Sequence, residues 1–232
     1  MTAPTLVCCS HGTDSADGRR TISALVAAAE CAVGAPAVET YVDVQRPQVD
    51  EVISSTDGPA VIVPLLLSPG FHTAVDIGRA AAQRAGVVAT GTLGPHPLLV
   101  DSLARRIAAL SPAPGDRVVL AAAGSSRPEA AARVEEMRTS LEARVPVPVT
   151  SGFAYGAKPT VAEAVHRARE AGAERVIAAS YVLAPGHFAD LISRAGADVV
   201  TAPLGVGDDG ADPSIVRIIR ERYDEGAAAL SL

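Results

Sequence analysis

Aromatic residues make up only 3% of the chain and tryptophan is absent. Stacking of nucleobases on aromatic platforms therefore has little to draw on. Positive charge is not in excess either: 20 Lys and Arg stand against 26 Asp and Glu, a net charge of −6. A duplex-binding face needs the opposite balance, so no nucleic-acid partner is expected. Cysteine is scarce and odd in number. Cys8, Cys9 and Cys31 contain no C-x-x-C pair, which argues against a zinc site or a disulfide framework and suits a reducing cytoplasm. Cys8 and Cys9 sit inside an apolar run and read as small buried residues. No apolar run approaches the ~20 residues of a membrane helix. The start, Met1-Thr2-Ala3-Pro4, lacks the basic and apolar regions of a secretory signal. A cytoplasmic protein with no membrane partner is expected. There is no G-x-S-x-G elbow for an α/β-hydrolase, and no Cys cluster for an iron–sulfur centre.

What is present is ample material for a core. The chain is 48% hydrophobic and 20% charged over 232 residues, enough for one large domain or two smaller ones. Short apolar runs alternate with longer stretches of helical period, which predicts an α/β protein with parallel strands and crossover helices. Strands are expected over 5–10, 37–44, 60–67 and 87–92, and helices from 17, over 49–54, 73–85 and 98–110. Ile22, Leu25, Val26 and Ala29 carry the i, i+3, i+4, i+7 spacing of one apolar helix face. Val61, Ile62, Val63, Leu65, Leu66 and Leu67 form a strand suited to burial on both faces. Ser111-Pro112-Ala113-Pro114-Gly115-Asp116 breaks the pattern and reads as a linker. The order then starts again, with strands over 117–123, 147–154, 175–183 and 198–201, helices over 128–144 and 160–172, a short helix, a Gly/Asp-rich loop and a last helix from Pro213. Two lobes are expected, 1–112 and 117–232.

The second half repeats the first. Val118-Val119-Leu120-Ala121-Ala122-Ala123-Gly124-Ser125 matches Leu6-Val7-Cys8-Cys9-Ser10-His11-Gly12-Thr13. One offset of 112 relates Ala123 to His11, Tyr155 to Asp43 and Pro159 to Pro47 (123 − 11, 155 − 43, 159 − 47). At the third strand Pro185-Gly186 matches Pro69-Gly70, so Phe188 stands where the first copy has His72. The copies differ where chemistry belongs: His11, Asp43 and His72 become Ala, Tyr and Phe. All three first-copy residues lie at the carboxyl ends of successive strands, so a parallel sheet gathers them on one rim. Imidazole and carboxylate together suit a divalent first-row metal.

The strand–His11-Gly12-Thr13 start, the stretch Tyr41-Val42-Asp43-Val44-Gln45-Arg46-Pro47, and Val63-Pro64-Leu65-Leu66-Leu67-Ser68-Pro69-Gly70-Phe71-His72 followed by Asp76-Ile77 resemble the class II sirohydrochlorin chelatases. The resemblance covers nearly the whole chain, duplication included. It implies two flavodoxin-like lobes, each a parallel four-stranded sheet flanked by helices, facing each other across a cleft. It further implies insertion of Fe²⁺ or Co²⁺ into sirohydrochlorin, on the way to siroheme or cobalamin; between ions that His and carboxylate suit alike, iron and siroheme are expected. The family's metal-handling histidines match His11 and His72, and its carboxylate, a Glu in many members, matches Asp43. The metal is a substrate, and no permanently bound cofactor is expected. With both copies in one chain, a monomer is expected.

Insertion requires loss of pyrrole N–H protons and transfer of a hydrated cation. Neutral imidazole can ligate or accept a proton near neutrality, so His11 and His72 are expected to share ligand and base roles with Asp43 assisting. The carboxylates of sirohydrochlorin need local donors in an acidic protein. Candidates are backbone N–H groups near Gly12, Thr13, Gly124, Ser125 and Ser126, the side chains of Ser10 and Arg127, and more weakly Arg46. Gly70, Phe71 and His187 complete the expected substrate-binding set, although His187 reads somewhat better as a helix cap. His96 reads as a loop residue, His166 as solvated, and Asp76 as a complement to its helix dipole. A histidine phosphatase would want an Arg beside its nucleophile, where Ser10 stands. A non-catalytic tetrapyrrole or metal carrier on the same fold is the alternative of another class.

Overall fold

The protein is described by a computed structural model covering residues 3–68 and 70–231, with the side chains of residues 71–74 outside the description. Eight elements come before the linker: β1 (Thr5–Ser10), α1 (Ala16–Val33), β2 (Ala37–Tyr41), α2 (Val49–Ser55), β3 (Ala60–Pro64), α3 (Phe71–Ala82), β4 (Val87–Ala89) and α4 (Pro97–Ala108). After it come β5 (Asp116–Ala122), α5 (Pro128–Glu142), β6 (Val149–Phe153), α6 (Val161–Glu170), β7 (Arg175–Tyr181), α7 (His187–Ser193) and β8 (Val199–Val200). A hairpin of β9 (Val206–Gly207) and β10 (Gly210–Ala211) then leads into α8 (Pro213–Leu230).

Two four-stranded sheets result, ordered β2-β1-β3-β4 and β6-β5-β7-β8. Every pairing in both sheets is parallel. The expected α/β class, strand count and duplication are all present. In the first sheet Ser10 pairs with Tyr41 on one side, and Cys9 with Pro64 on the other. The connection leaving β1 runs to β2 on one side and that leaving β3 runs to β4 on the other, so the gap between β1 and β3 is the switch point, where an open α/β sheet offers a ligand crevice at its carboxyl edge. Leu6, Val7, Cys8 and Cys9, with Val61, Ile62 and Val63, are fully buried. That accounts for the unbroken apolar runs of the central strands. One face of this sheet packs Val7, Cys9 and Ile62 against Val49, Val52, Ile53, Ile77 and Ala80 of α2 and α3.

The repeat extends to single hydrogen bonds. The Glu51 carboxylate accepts from the Gln48 N–H at 3.0 Å, and Glu163 accepts from the Thr160 N–H at 2.7 Å. Arg46 pairs with Glu51, as Lys158 pairs with Glu163. Tyr41 bridges to Gln48, as Phe153 bridges to Thr160.

The compact units do not follow the repeat. One runs to Leu93 and resumes at Gly207, and the other is Gly94–Val206. The lobes expected over 1–112 and 117–232 therefore exchange their last helices. Helix α4 packs on α5 and β7 of the second unit, and α8 packs on α1, β3 and β4 of the first. Helix α8 approaches its sheet closely: a Cβ on Gly226 would stand 2.5 Å from a Val61 methyl and 2.9 Å from the Thr90 methyl. The Tyr223 hydroxyl donates to the Pro4 carbonyl at 2.7 Å, and Arg222 Nε to the Thr92 carbonyl at 3.0 Å. In the second unit Arg106 of α4 donates to the carbonyls of Ala202, Pro203, Leu204 and Val206.

The linker is tied down. Asp116 is buried at the start of β5, accepts from the Ala113 N–H at 2.8 Å and pairs with Arg175 at 2.6 Å. Arg175 also reaches the carbonyls of Leu110 and Ser111. His96, expected in a loop, is the N-cap of α4: its Nδ1 accepts from the Leu98 N–H at 3.2 Å. Among the described residues no helix is long and apolar enough to cross a membrane.

Candidate functional site

His11 is the first residue beyond β1, and its side chain is exposed. Its carbonyl accepts from the Asp43 N–H at 3.2 Å, one step after the Ser10 carbonyl accepts from the Val42 N–H at 3.0 Å. The ladder between β1 and β2 thus continues past the strands and joins the His11 turn to the Asp43 turn. Gly12 makes this approach possible. Its φ is +92°, and a Cβ there would stand 2.8 Å from the Asp43 carbonyl oxygen. Gln45 Oε1 accepts from the Thr13 N–H at 2.8 Å, a second tie between the turns. That bond engages the Thr13 amide inside the protein, which corrects its expected role as an anion donor. Thr13 Oγ1 accepts from the Ser15 N–H at 3.1 Å, and the Ser15 side chain caps α1 through the Gly18 N–H at 3.2 Å.

Asp43 is exposed, and its Oδ1 accepts from the next N–H, that of Val44, at 2.8 Å. This turn holds Val44 at a φ of 48°. One carboxylate oxygen therefore serves the turn as well as facing solvent. Arg46, a weaker candidate for substrate, is engaged by Glu51. Ser10 is buried, at 5% exposure, and its Oγ has no partner among the described residues. It is not the surface donor that the sequence suggested.

His72 is the second residue of α3, and Gly70 is the N-cap of that helix. β3 lies beside β1 in parallel, and the Leu65 N–H donates to the Cys9 carbonyl at 2.7 Å. The topology therefore brings the backbone after β3 to the same edge as His11. The side chains of Phe71 and His72 lie outside the described residues. Gly70 has an ordinary φ of −83°. Asp76 falls beyond the first turn of α3, and Arg79 bridges it to Asp50, each contact 3.1 Å. It does not complement the helix dipole as expected. Burial pushes the Cys8 and Cys9 thiols up, Cys9 to about 12, which removes both as thiolate ligands near neutrality. Among the described residues no group of three His, Cys, Asp or Glu side chains is gathered closely enough to hold a metal.

The second copy keeps the backbone device. Gly124 has a φ of +87°, and a Cβ there would collide with the Tyr155 carbonyl. The Tyr155 N–H donates to the Ala123 carbonyl at 2.9 Å. Ser125 Oγ accepts from the Arg127 N–H at 3.2 Å, and Arg127 is the N-cap residue of α5, with Ser126 and Arg127 exposed. His187 opens α7 after Gly186 and makes no cap bond, so the preferred capping role fails. Its ring instead meets that of Phe188 edge-on, with centroids 5.4 Å apart. His166 is solvent-exposed beside Glu170, as expected. Tyr155, which in the sequence stands out only as the replacement of Asp43, has its side chain 67% exposed.

A profile of the CbiX family matches residues 5–110 and 117–226, one match to each copy of the repeat. The chain belongs to the CbiX family. Two matches in tandem give the duplication an independent statement. Among solved structures, SirB from Bacillus subtilis with Fe³⁺ is 19% identical, with 99% of this chain and 98% of that one covered and a TM-score of 0.80. The sirohydrochlorin chelatase SirB from Bacillus subtilis subspecies spizizenii, in complex with cobalt, is 18% identical, covers 98% and 96%, and has a TM-score of 0.77. CbiX described as the terminal enzyme for biosynthesis of siroheme in denitrifying bacteria is 20% identical, covers 95% and 98%, and has a TM-score of 0.69. At these identities the likeness is one of fold, and it spans the full length of the CbiX-family chain. No curated protein matches it.

Proposed function

We propose that this CbiX-family protein is a metal chelatase that inserts a divalent cation into sirohydrochlorin, with Fe²⁺ the favoured metal and siroheme the product. The observation that carries the reading is the asymmetry of the repeat: two copies share one backbone device, and only the first places imidazole and carboxylate on it. His11 and Asp43 stand on turns joined by a hydrogen bond, and His72 follows the strand on the other side of β1. Solved structures with this fold carry Fe³⁺ in one case and cobalt in another, which supports a site for first-row metals without choosing between them.

In this mechanism His11 and His72 take the partly dehydrated cation, hold it weakly enough for release, and accept protons leaving the pyrrole nitrogens. Asp43, on the turn bonded to that of His11, adds a negative charge that favours the bound cation. The metal is consumed as substrate, and the protein needs no resident cofactor. One chain carries both copies and acts as a monomer. Co²⁺ insertion is the second reading, since imidazole and carboxylate suit either ion.

The test is anaerobic mixing of the protein with sirohydrochlorin and Fe²⁺, Co²⁺ or Ni²⁺, followed by absorption spectra. Multiple turnovers with Fe²⁺ faster than with Co²⁺ are expected. Tight binding of either substrate with at most one equivalent of product per chain would indicate a carrier and overturn the reading.

A further inference from the structure

The chain has four Tyr, three Phe and no Trp. Tyr41, Phe153, Tyr181 and Tyr223 are buried. Phe71 has its side chain outside the described residues. The other two aromatics, Tyr155 and Phe188, are 67% and 37% exposed. Both stand just beyond the carboxyl ends of strands that flank β5 in the second sheet: Tyr155 after β6, and Phe188 in the first turn of α7 after β7. Leu191, 37% exposed, follows Phe188 at i+3 on α7 and so shares its face.

These side chains are presented on fixed backbone. The Tyr155 N–H is bonded to the Ala123 carbonyl, and the Tyr155 carbonyl accepts from the Ala157 N–H at 2.9 Å. Gly124 lies against the Tyr155 carbonyl, and a Cβ on Gly156, φ +70°, would stand 2.8 Å from the Ser125–Ser126 backbone. The turn is clasped, and its aromatic ring stands in solvent. The Phe188 ring is set edge-on by His187, with an interplanar angle of 62°. Apolar groups held rigidly at the ligand edge of an open sheet bind at low ordering cost.

The repeat gives these positions meaning. Tyr155 occupies the place of Asp43, and Phe188 that of His72. Where the first copy carries a carboxylate and an imidazole, the second carries two aromatic rings. A tetrapyrrole has a broad apolar π face that exposed aromatic rings can meet. Resting on the function proposed above, we propose that Tyr155, Phe188 and Leu191 form a further substrate-binding surface on the second unit, which takes the planar face of the tetrapyrrole.

The test is an anaerobic absorption titration of the full-length protein with metal-free sirohydrochlorin. Tyr155→Ala and Phe188→Ala are each expected to raise Kd about tenfold, as loss of an aromatic contact does. KM should rise with Kd, and Tyr155→Phe should restore affinity to within about twofold, since the ring and not the hydroxyl makes the contact. His166→Ala, on an exposed helix face, serves as the unaffected control, and matched thermal midpoints exclude misfolding. The proposal falls if the wild type binds sirohydrochlorin and both alanine variants bind it equally well. If the wild type itself does not bind sirohydrochlorin, the reading of function falls, and this assignment falls with it.

Discussion

The backbone N–H of Asp43 donates to the carbonyl of His11 at 3.2 Å. The two residues are far apart in sequence, yet each fixes the other's turn. Their counterparts in the second copy, Tyr155 and Ala123, make the same bond. Chemistry was thus changed on a retained backbone frame, and the frame itself is open to test.

Gly12 is the residue that allows the frame to close. Gly12→Ala would force a Cβ to 2.8 Å from the Asp43 carbonyl while holding φ at +92°. A loss of about 1–3 kcal/mol is expected from the strain of a left-handed non-glycine residue and the forced separation of the turns. Urea denaturation measures it, and metal insertion should fall together with stability.

Substitution can separate the turn role of Asp43 from the metal role proposed for it. Asp43→Asn keeps an oxygen to accept from the Val44 N–H, 2.8 Å away, but removes the charge. Stability should change by less than about 0.5 kcal/mol, while the insertion rate falls about 10–100-fold, the usual scale for an assisting partner at a metal site. Asp43→Ala should lose both. Equal rates in Asp43→Asn and wild type would confine Asp43 to its turn.

Acid stability follows from carboxylates held below their usual range. The Arg175 hydrogen bond, and after it the Ala113 N–H, lower Asp116 from 3.8. The Lys158 hydrogen bond, with the Thr160 N–H, lowers Glu163 to about 2. Each group binds its proton less tightly when folded, so its stabilisation is complete above the unfolded value and is lost as pH falls through the folded one. The thermal midpoint should be level between about pH 7 and 5 and decline below about pH 4. Asp116→Asn should lower the level part and shallow the decline. A midpoint that rises on acidification would contradict this.

The three thiols should divide cleanly. Cys8 and Cys9 are buried with raised pKa values, and Cys31 is exposed. A thiol reagent such as DTNB should label one cysteine per native chain, Cys31, and all three after denaturation. Fast native labelling of Cys8 or Cys9 would mean that β1 opens readily.

Much of this was legible in the sequence, because alternation of short apolar runs with helical periods states the parallel α/β order directly. The start of α8 at Pro213 and the turn at His11 could be placed from residues alone. The exchange of α4 and α8 could not. Periodicity in Leu99, Leu103 and Ile107 shows that α4 has an apolar face, but not which sheet the face covers. Gly226, a glycine inside a long helix, was the available signal of close packing. Because apolar residues continue into the turns, strands are expected to run to Val44 and Leu67; they end instead at Tyr41 and Pro64. The prolines flanking His96 suggest a loop, whereas Pro97 opens a helix that His96 caps. Ser10 looked like a surface donor from its place before His11, but the strand carries it inside.

The most direct test of the central claim is the initial rate of Fe²⁺ insertion into sirohydrochlorin by His11→Ala, measured anaerobically beside the wild type. His11 is exposed on a turn held by backbone bonds, so the variant should fold with an unchanged thermal midpoint. The account predicts a rate at least about 100-fold lower, the scale of a lost ligand and general base. A folded His11→Ala protein that inserts iron within about twofold of the wild-type rate would contradict it.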